Sequence, residues 1–192
     1  VHGSPGQGNW ARVPWVAIYD RFITETAQDG FYVVYLVKED FSGVYLSLNQ
    51  GVTTIRHVYG ADAKEALMAR ASDYLARLGQ IDKSLIVGPL DLNATSSSSL
   101  GAFYEKGSIC AKYYKKGEIP NDEVLTKDLK EFLDLYLLLA TKDLVPSSTS
   151  AEEDEIGLKT EDLTNIREHK RIERNRKLAE MAKKVHGHTC QA

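Results

Sequence analysis

Apolar positions follow strand-like periods in the first part of the chain. Residues 31–37 are apolar throughout, and residues 44–48 alternate apolar with polar or aromatic positions. The residues between these runs, from Asp40 to Gly43, are typical of a tight turn. The pattern therefore predicts an antiparallel hairpin, in which the first strand is buried on both faces and the second strand on one.

Two segments show the spacing of amphipathic helices. In residues 63–78 apolar side chains recur every three or four positions, Asp62 stands at the N-cap position, and Gly79 ends the run. A second helix is predicted after Asn121, ending near Ala140. Shorter strand-like runs are predicted at residues 12–20, 83–92 and 108–114, and a loop at 96–101. Because strands and helices do not alternate strictly, we predict an α+β fold with a mixed, largely antiparallel, curved sheet and flanking helices.

Aromatic and charged residues divide the 192-residue chain into three parts. Residues 1–145 contain all ten Tyr, both Trp and all five Phe, so we predict that the folded domain lies there. Residues 146–157 combine Pro, Ser and Thr with consecutive acids, which is typical of a flexible linker. Residues 158–192 are predicted to contain a basic helix, because residues 164–188 carry eight Lys/Arg against three Asp/Glu.

Composition and motifs argue against several classes of protein. The chain is 43% hydrophobic and 27% charged, as in an average soluble domain, and no apolar run approaches the ~20 residues that span a bilayer. Neither a signal peptide nor a disulfide framework is indicated, so we expect a cytoplasmic protein without a membrane partner. None of the five His lies in a metal or nucleophile motif, and we expect no catalysis by this domain.

The segment at residues 103–120 interleaves aromatic side chains with four lysines: Lys106, Lys112, Lys115 and Lys116. Aromatic faces can stack on bases, and ammonium groups beside them can meet phosphates. The same pattern also fits a strand with half-buried tyrosines and with lysines in solvent. The residues alone leave both interpretations open.

Four segments, taken in order, resemble those of one protein family: GQGNWARVPWVAIYD, DGFYVVYLV, GVYLSLNQGVT and YEKGSICAKYYKKGEIP. Together they are similar to the N-terminal DNA-binding domain of McrB-type, modification-dependent (type IV) restriction endonucleases, across most of residues 3–140. The resemblance implies a prokaryotic domain that serves in phage defence and binds double-stranded DNA at a modified base, above all 5-methylcytosine. It also implies that this base is flipped into an aromatic pocket, where packing can sense its extra atoms.

The resemblance also assigns a role to each pocket residue. Gln7 and Asn9 would form one wall, Trp15 a second wall, Tyr32 and Leu36 the floor, and Tyr104 the closing side. The DNA backbone would be contacted by Lys106, Lys112, Lys115 and Lys116. Gln7 departs from the family pattern, which has an aromatic residue in this glycine loop, so the identity of the modified base stays open. Ordinary core packing is the alternative for Trp15, Tyr32 and Leu36.

The C-terminal segment resembles the helix that leads into HNH nuclease domains fused behind such readers. Cys190 takes the place of a zinc-knuckle cysteine, but its partner ligands are absent from this chain. The resemblance implies an HNH-type endonuclease as the parent protein, with a divalent metal in the nuclease domain, no cofactor in the recognition domain, and room for a homodimer formed through the parent. A solvated basic helix that extends the domain is the alternative.

Two functions from different classes follow from these patterns. The first is recognition of modified duplex DNA by base flipping, as the specificity domain of a restriction endonuclease. The second is a protein-interaction or assembly module, whose generic basic surface pairs with acidic partners and which has no base pocket. Catalysis by this chain itself would need a metal or an acid-base set that we do not find in the sequence.

Overall fold

The computed structural model describes residues 1–4, 11–21 and 23–144. These ranges contain six strands: β1 (His2–Ser4), β2 (Trp15–Ile18), β3 (Phe31–Val37), β4 (Gly43–Gln50), β5 (Ile86–Val87) and β6 (Cys110–Lys115). The strands form one sheet in the spatial order β1-β2-β3-β4-β6-β5. Each described pairing is antiparallel, so the sheet is not mixed in the part of the chain that is described.

Four helices lie in the described ranges: α1 (Thr53–Tyr59), α2 (Ala63–Leu78), α3 (Leu100–Gly107) and α4 (Asp122–Leu144). The predicted α+β class is therefore confirmed. None of these helices is long and apolar enough to cross a membrane. The predicted acidic linker, basic helix and Cys190 fall outside the described residues, as do Gln7 and Asn9.

The central strand β3 is buried on both faces, as its unbroken apolar sequence predicts. Alternate residues point to opposite faces of a strand. On one face Phe31 packs against helices α2 and α4, with its ring centroid 5.3 Å from that of Tyr74 and 5.6 Å from that of Tyr136. On the other face Tyr32, Val34 and Leu36 share a cluster that includes Leu90 and Leu92. Each fully buried large apolar side chain stabilises the fold by ~1.5–3 kcal/mol.

The prediction that only one face of β4 is buried is wrong, because both faces are buried. Ser47 and Asn49 point away from the predicted apolar face, yet both are buried. The Ser47 hydroxyl lies 3.2 Å from the Ser108 hydroxyl, and the Asn49 side-chain amide donates to the backbone oxygen of Tyr104 at 3.1 Å. Polar side chains are buried at low cost when they are hydrogen-bonded in this way. Helix α3 and the segment that joins it to β6 therefore cover the second face.

Two helices differ from the sequence prediction. Helix α1 was not predicted, because only Ile55 in it is buried and its apolar periodicity is weak. Helix α3 begins inside residues 96–101, which we predicted as a loop. Ser99 caps it by accepting a hydrogen bond from the backbone nitrogen of Ala102 at 3.3 Å. Tyr104 therefore lies on a helix.

The two predicted helices are present with small differences at their ends. Helix α2 covers residues 63–78 as predicted, but Asp62 makes no side-chain capping bond and instead ends a 3₁₀ turn, Gly60–Asp62. Helix α4 continues past Ala140 to Leu144. The predicted strand at residues 83–92 is reduced to β5, because residues 88–95 leave the sheet edge and pack on the sheet face.

Candidate nucleic-acid interface

Four of the predicted pocket residues contact one apolar cluster on the sheet face opposite helices α2 and α4. The cluster contains Tyr32 and Leu36 from β3, with Trp15 from β2 and Tyr104 from α3 packed against it. Strand register brings Trp15 directly opposite Leu36. The fold thus brings together residues that are far apart in the sequence.

These four residues differ in how far solvent can reach them. Tyr32 is 4% exposed and Leu36 is 2% exposed, whereas Trp15 and Tyr104 are half-buried. The Trp15 ring also lies against His2, with ring centroids 5.7 Å apart. The accessible aromatic surface is therefore contributed by Trp15 and Tyr104, and Tyr32 and Leu36 lie beneath it.

Tyr32 is held in a fixed position at the bottom of this cluster. Its hydroxyl donates to the backbone oxygen of Ala27 at 3.0 Å, and its ring centroid lies 6.1 Å from that of Tyr19. Burial raises the pKa of Tyr32 well above the usual range of a phenol, and nearby Tyr104 and Tyr19 raise it further. Tyr32 consequently stays a neutral hydrogen-bond donor even at alkaline pH.

Tyr104 lies where two apolar clusters meet. It packs against the sheet-face cluster and also against the cluster of Phe103 and Leu67, which connects α3 to α1 and α2. Burial raises the pKa of the Tyr104 hydroxyl, and the positive charge of Arg56 acts in the opposite direction. The tyrosine therefore connects the sheet face to the surface of helices α1 and α2.

Residues 88–95 cover part of the sheet face and are bound to α3. The Glu105 carboxylate accepts from the backbone nitrogen of Leu92 at 2.8 Å, and the Glu105 backbone oxygen accepts from Leu90 at 3.0 Å. The N-terminal segment approaches α3 as well, since a Cβ added to Gly101 would lie 2.8 Å from Val13 Cγ2. Both segments therefore pack against α3, the helix that carries Tyr104.

Ion pairs fix the other end of the same face, at the turn between β3 and β4. Glu39 accepts from Arg12 at 3.2 Å and from the Thr95 hydroxyl at 2.7 Å, and Lys38 pairs with Asp91 at 3.1 Å. Hydrogen bonds from Thr95, together with the charge of Arg12, lower the pKa of Glu39. These contacts hold residues 88–95 against the hairpin.

The four predicted backbone-contacting lysines are dispersed. The Lys112 ammonium lies 2.7 Å from the Asp128 carboxylate on α4, on the opposite side of the sheet from Trp15. Lys115 pairs with Glu118, whereas Lys116 is exposed and Lys106 is half-buried. In the described structure two of the four thus already have an acidic partner.

Two cations lie over one aromatic ring, a feature that the sequence did not predict. The guanidinium carbon of Arg56 lies 4.5 Å from the Phe103 ring centroid, and the Lys64 ammonium lies 5.4 Å from it. No carboxylate of the described residues lies within salt-bridge distance of either cation. If α1 had been predicted as a helix, Arg56 could have been placed near α3. The apolar pattern of α1 is too weak to predict that helix.

The described residues contain no group of three His, Cys, Asp or Glu side chains that could hold a metal ion. Cys110 is a buried core residue of β6. Burial, aided by the charge of Glu131, raises its pKa to about 12. Since the thiolate is the reactive form, this thiol is inert near neutral pH.

Comparison with known proteins bears on the same part of the chain. The family model described as "MrcB-like, N-terminal domain" matches residues 1–141. No curated protein and no solved structure gives a significant match. The matched range contains the whole sheet, helices α1 to α3 and most of α4, but none of residues 146–192. The chain belongs to the MrcB-like N-terminal domain family.

Proposed function

We propose that this domain binds duplex DNA and recognises a modified base, above all 5-methylcytosine, after flipping it out of the helix. The observation that supports the proposal most strongly is the meeting of Trp15, Tyr32, Leu36 and Tyr104 at one sheet face. Family membership adds to it, because the matched range includes all four residues.

The chemistry of the face suits a planar, partly apolar ligand. Half-buried Trp15 and Tyr104 offer ring surface on which a base can stack, and stacking is worth ~1–3 kcal/mol per base. Unstacking a base from the duplex costs a few kcal/mol, so stacking in the protein can offset much of that cost. A methyl group on the extruded base would add apolar contact with the Trp15 and Tyr104 rings, which is the physical basis of discrimination in this proposal.

The other predicted contacts complete the proposed interface. Gln7 and Asn9 would form the remaining wall and offer amide groups to the edge of the base. Lys106 and Lys116 would contact phosphates, as would Lys112 and Lys115 after exchanging their acidic partners for phosphate oxygens. Such exchange carries an energetic cost, so the last two lysines are the weaker backbone contacts.

In the whole protein, the domain would supply specificity to a prokaryotic, cytoplasmic modification-dependent restriction endonuclease. An HNH-type effector would follow the basic segment, with Cys190 as a zinc ligand, a divalent metal in the nuclease site and dimerisation through the parent protein. The recognition domain itself would need no cofactor.

A binding panel tests the proposal. Fluorescence anisotropy would compare duplexes that differ only at one base: cytosine, 5-methylcytosine, 5-hydroxymethylcytosine or N6-methyladenine in place of adenine. We expect one of the modified-cytosine duplexes to bind at least tenfold more tightly than the plain duplex. Equal, weak binding to all of them would instead favour a protein-interaction module with a generic basic surface.

A further inference from the structure

We propose that Arg56 and Lys64, both lying over the Phe103 ring, form a phosphate anchor that holds the DNA backbone next to the base pocket. This inference rests on the proposed function and adds a contact surface to it. The three residues come from α1, α2 and α3, so the anchor exists only in the folded domain.

The Phe103 ring holds two positive charges at one place. The guanidinium carbon of Arg56 is 4.5 Å from the ring centroid and the Lys64 ammonium is 5.4 Å from it. Both distances fall within the ~6 Å over which a ring face attracts a cation. Phe103 is itself 9% exposed and packs in the cluster of Ile55 and Leu67, so the ring is a fixed support.

The two cations are not neutralised by acids within the described structure. Lys38, Lys112 and Lys115 each pair with a carboxylate, whereas Arg56 and Lys64 have none within salt-bridge distance. Two like charges near one ring repel each other, and a phosphate would relieve that repulsion. An arginine fork also matches two phosphate oxygens geometrically. The pair is therefore arranged to accept an anion from outside the protein.

The position of the anchor suits the backbone near an extruded base. Phe103 and Tyr104 are consecutive residues of α3. The positive charge of Arg56 acts to lower the pKa of the Tyr104 hydroxyl, which burial raises. Each DNA strand carries one phosphate per ~3.4 Å of helix axis, so a base held at Tyr104 brings flanking phosphates close to the next helix surface. The anchor would thus hold the strand from which the base is flipped.

The salt dependence of DNA binding tests the anchor in the full chain. Variants Arg56→Gln, Lys64→Gln and the double variant would be titrated with plain and 5-methylcytosine duplexes between about 50 and 200 mM salt. Each lost phosphate contact should reduce the slope of log K against log salt by about 0.9, and the double variant by about 1.8. Both duplexes should weaken by the same factor, so that the preference for modified DNA is unchanged.

Two further variants serve as controls. Lys127→Gln removes an equal charge from an exposed position on α4, which contributes no residue to the anchor, and should leave the slope unchanged. Arg56→Lys keeps the charge and should keep the slope. Thermal melting would verify that each variant is folded. Should Arg56→Gln unfold, the test rests on Lys64→Gln, whose ammonium lies farther from the Phe103 ring.

Failure of the anchor and failure of the proposed function give different results. An unchanged slope in folded Arg56→Gln and Lys64→Gln, while the wild type still prefers modified DNA, would overturn the anchor alone. A wild-type chain that binds no duplex would overturn the proposed function and the anchor with it.

Discussion

Trp15 on β2 lies directly opposite Leu36 on β3 in the register of the sheet. Directly opposed residues on one face have Cβ atoms ~4.5–5.5 Å apart. The same register continues across the sheet, because Leu36 pairs with Tyr45, and Tyr45 pairs with Tyr113. A row of large apolar side chains thus crosses four strands, with Trp15 and Leu36 of the proposed pocket at one end of it.

Replacing Tyr104 with Ala should remove most of the preference for modified over plain DNA. The loss of one stacking ring is expected to weaken modified-duplex binding by about 1–3 kcal/mol. Tyr104 is half-buried, so the fold should survive, as thermal melting would verify. Anisotropy titrations with both duplexes provide the measurement.

Matched variants separate stacking from other effects of that substitution. Tyr104→Phe keeps the ring and should keep the preference. Lys116→Ala removes an exposed charge and should weaken both duplexes equally. A folded Tyr104→Ala protein that retains the full preference would contradict the assignment of Tyr104 to the pocket.

Substitution of Asp128 should destabilise the domain without changing base preference. The carboxylate is 3% exposed and accepts from the Lys112 ammonium at 2.7 Å and from the Tyr114 hydroxyl at 2.8 Å, connecting α4 to β6. Asp128→Ala leaves both donors without their acceptor, which should lower the free energy of unfolding by about 2–3 kcal/mol.

Urea unfolding measures that change, and Asp134→Ala is its control. Asp134 lies on the same helix but is exposed, so its substitution should change stability by no more than ~0.5 kcal/mol. Equal stability of the two variants would show that the Asp128 contacts contribute nothing to the fold.

Alkaline pH should destabilise the domain in part through Cys110. Its pKa is raised from 9.0 to about 12 by burial, so the folded state keeps the thiol proton while the unfolded chain releases it. Stability is therefore unaffected below about pH 9 and falls as pH rises from there toward 12, with a limiting slope of ~1.4 kcal/mol per pH unit.

The variant Cys110→Ala isolates this contribution. It should be less stable than wild type at neutral pH, because it leaves a small cavity in the core. Its free energy of unfolding should nevertheless decline less steeply between about pH 9 and 12. Parallel pH profiles for the two proteins, measured by urea unfolding, would rule out the proposed role of the thiol.

The sequence correctly predicted those helices and strands that have a clear apolar pattern of their own. Helix α2 is an example, because its buried face recurs at helical spacing and Gly79 ends it. The burial of Ser47 and Asn49 could not be predicted, since their partners, Ser108 and Tyr104, are distant in the sequence. From the sequence alone, the polar residues of β4 are therefore expected to be solvent-exposed. Their burial follows only from the positions of Ser108 and Tyr104 in the fold.

The candidate site was predictable only in part, for a similar physical reason. Resemblance to a family pointed to all four residues of this sheet face, with Leu36 at the floor, but no pattern in the sequence shows that residues 88–95 pack on the same face. The Arg56 and Lys64 pair arises where α1, α2 and α3 meet, and each residue alone has the pattern of an ordinary surface cation.

The fluorescence of 2-aminopurine placed beside a 5-methylcytosine tests base flipping most directly. Extrusion of the methylated base would unstack its neighbour, so the emission of 2-aminopurine should rise when the full chain is added. The matched duplex with plain cytosine should show little rise at equal saturation, and Tyr104→Ala should reduce the rise on modified DNA. Saturating, modification-dependent binding with no rise in emission would contradict base flipping.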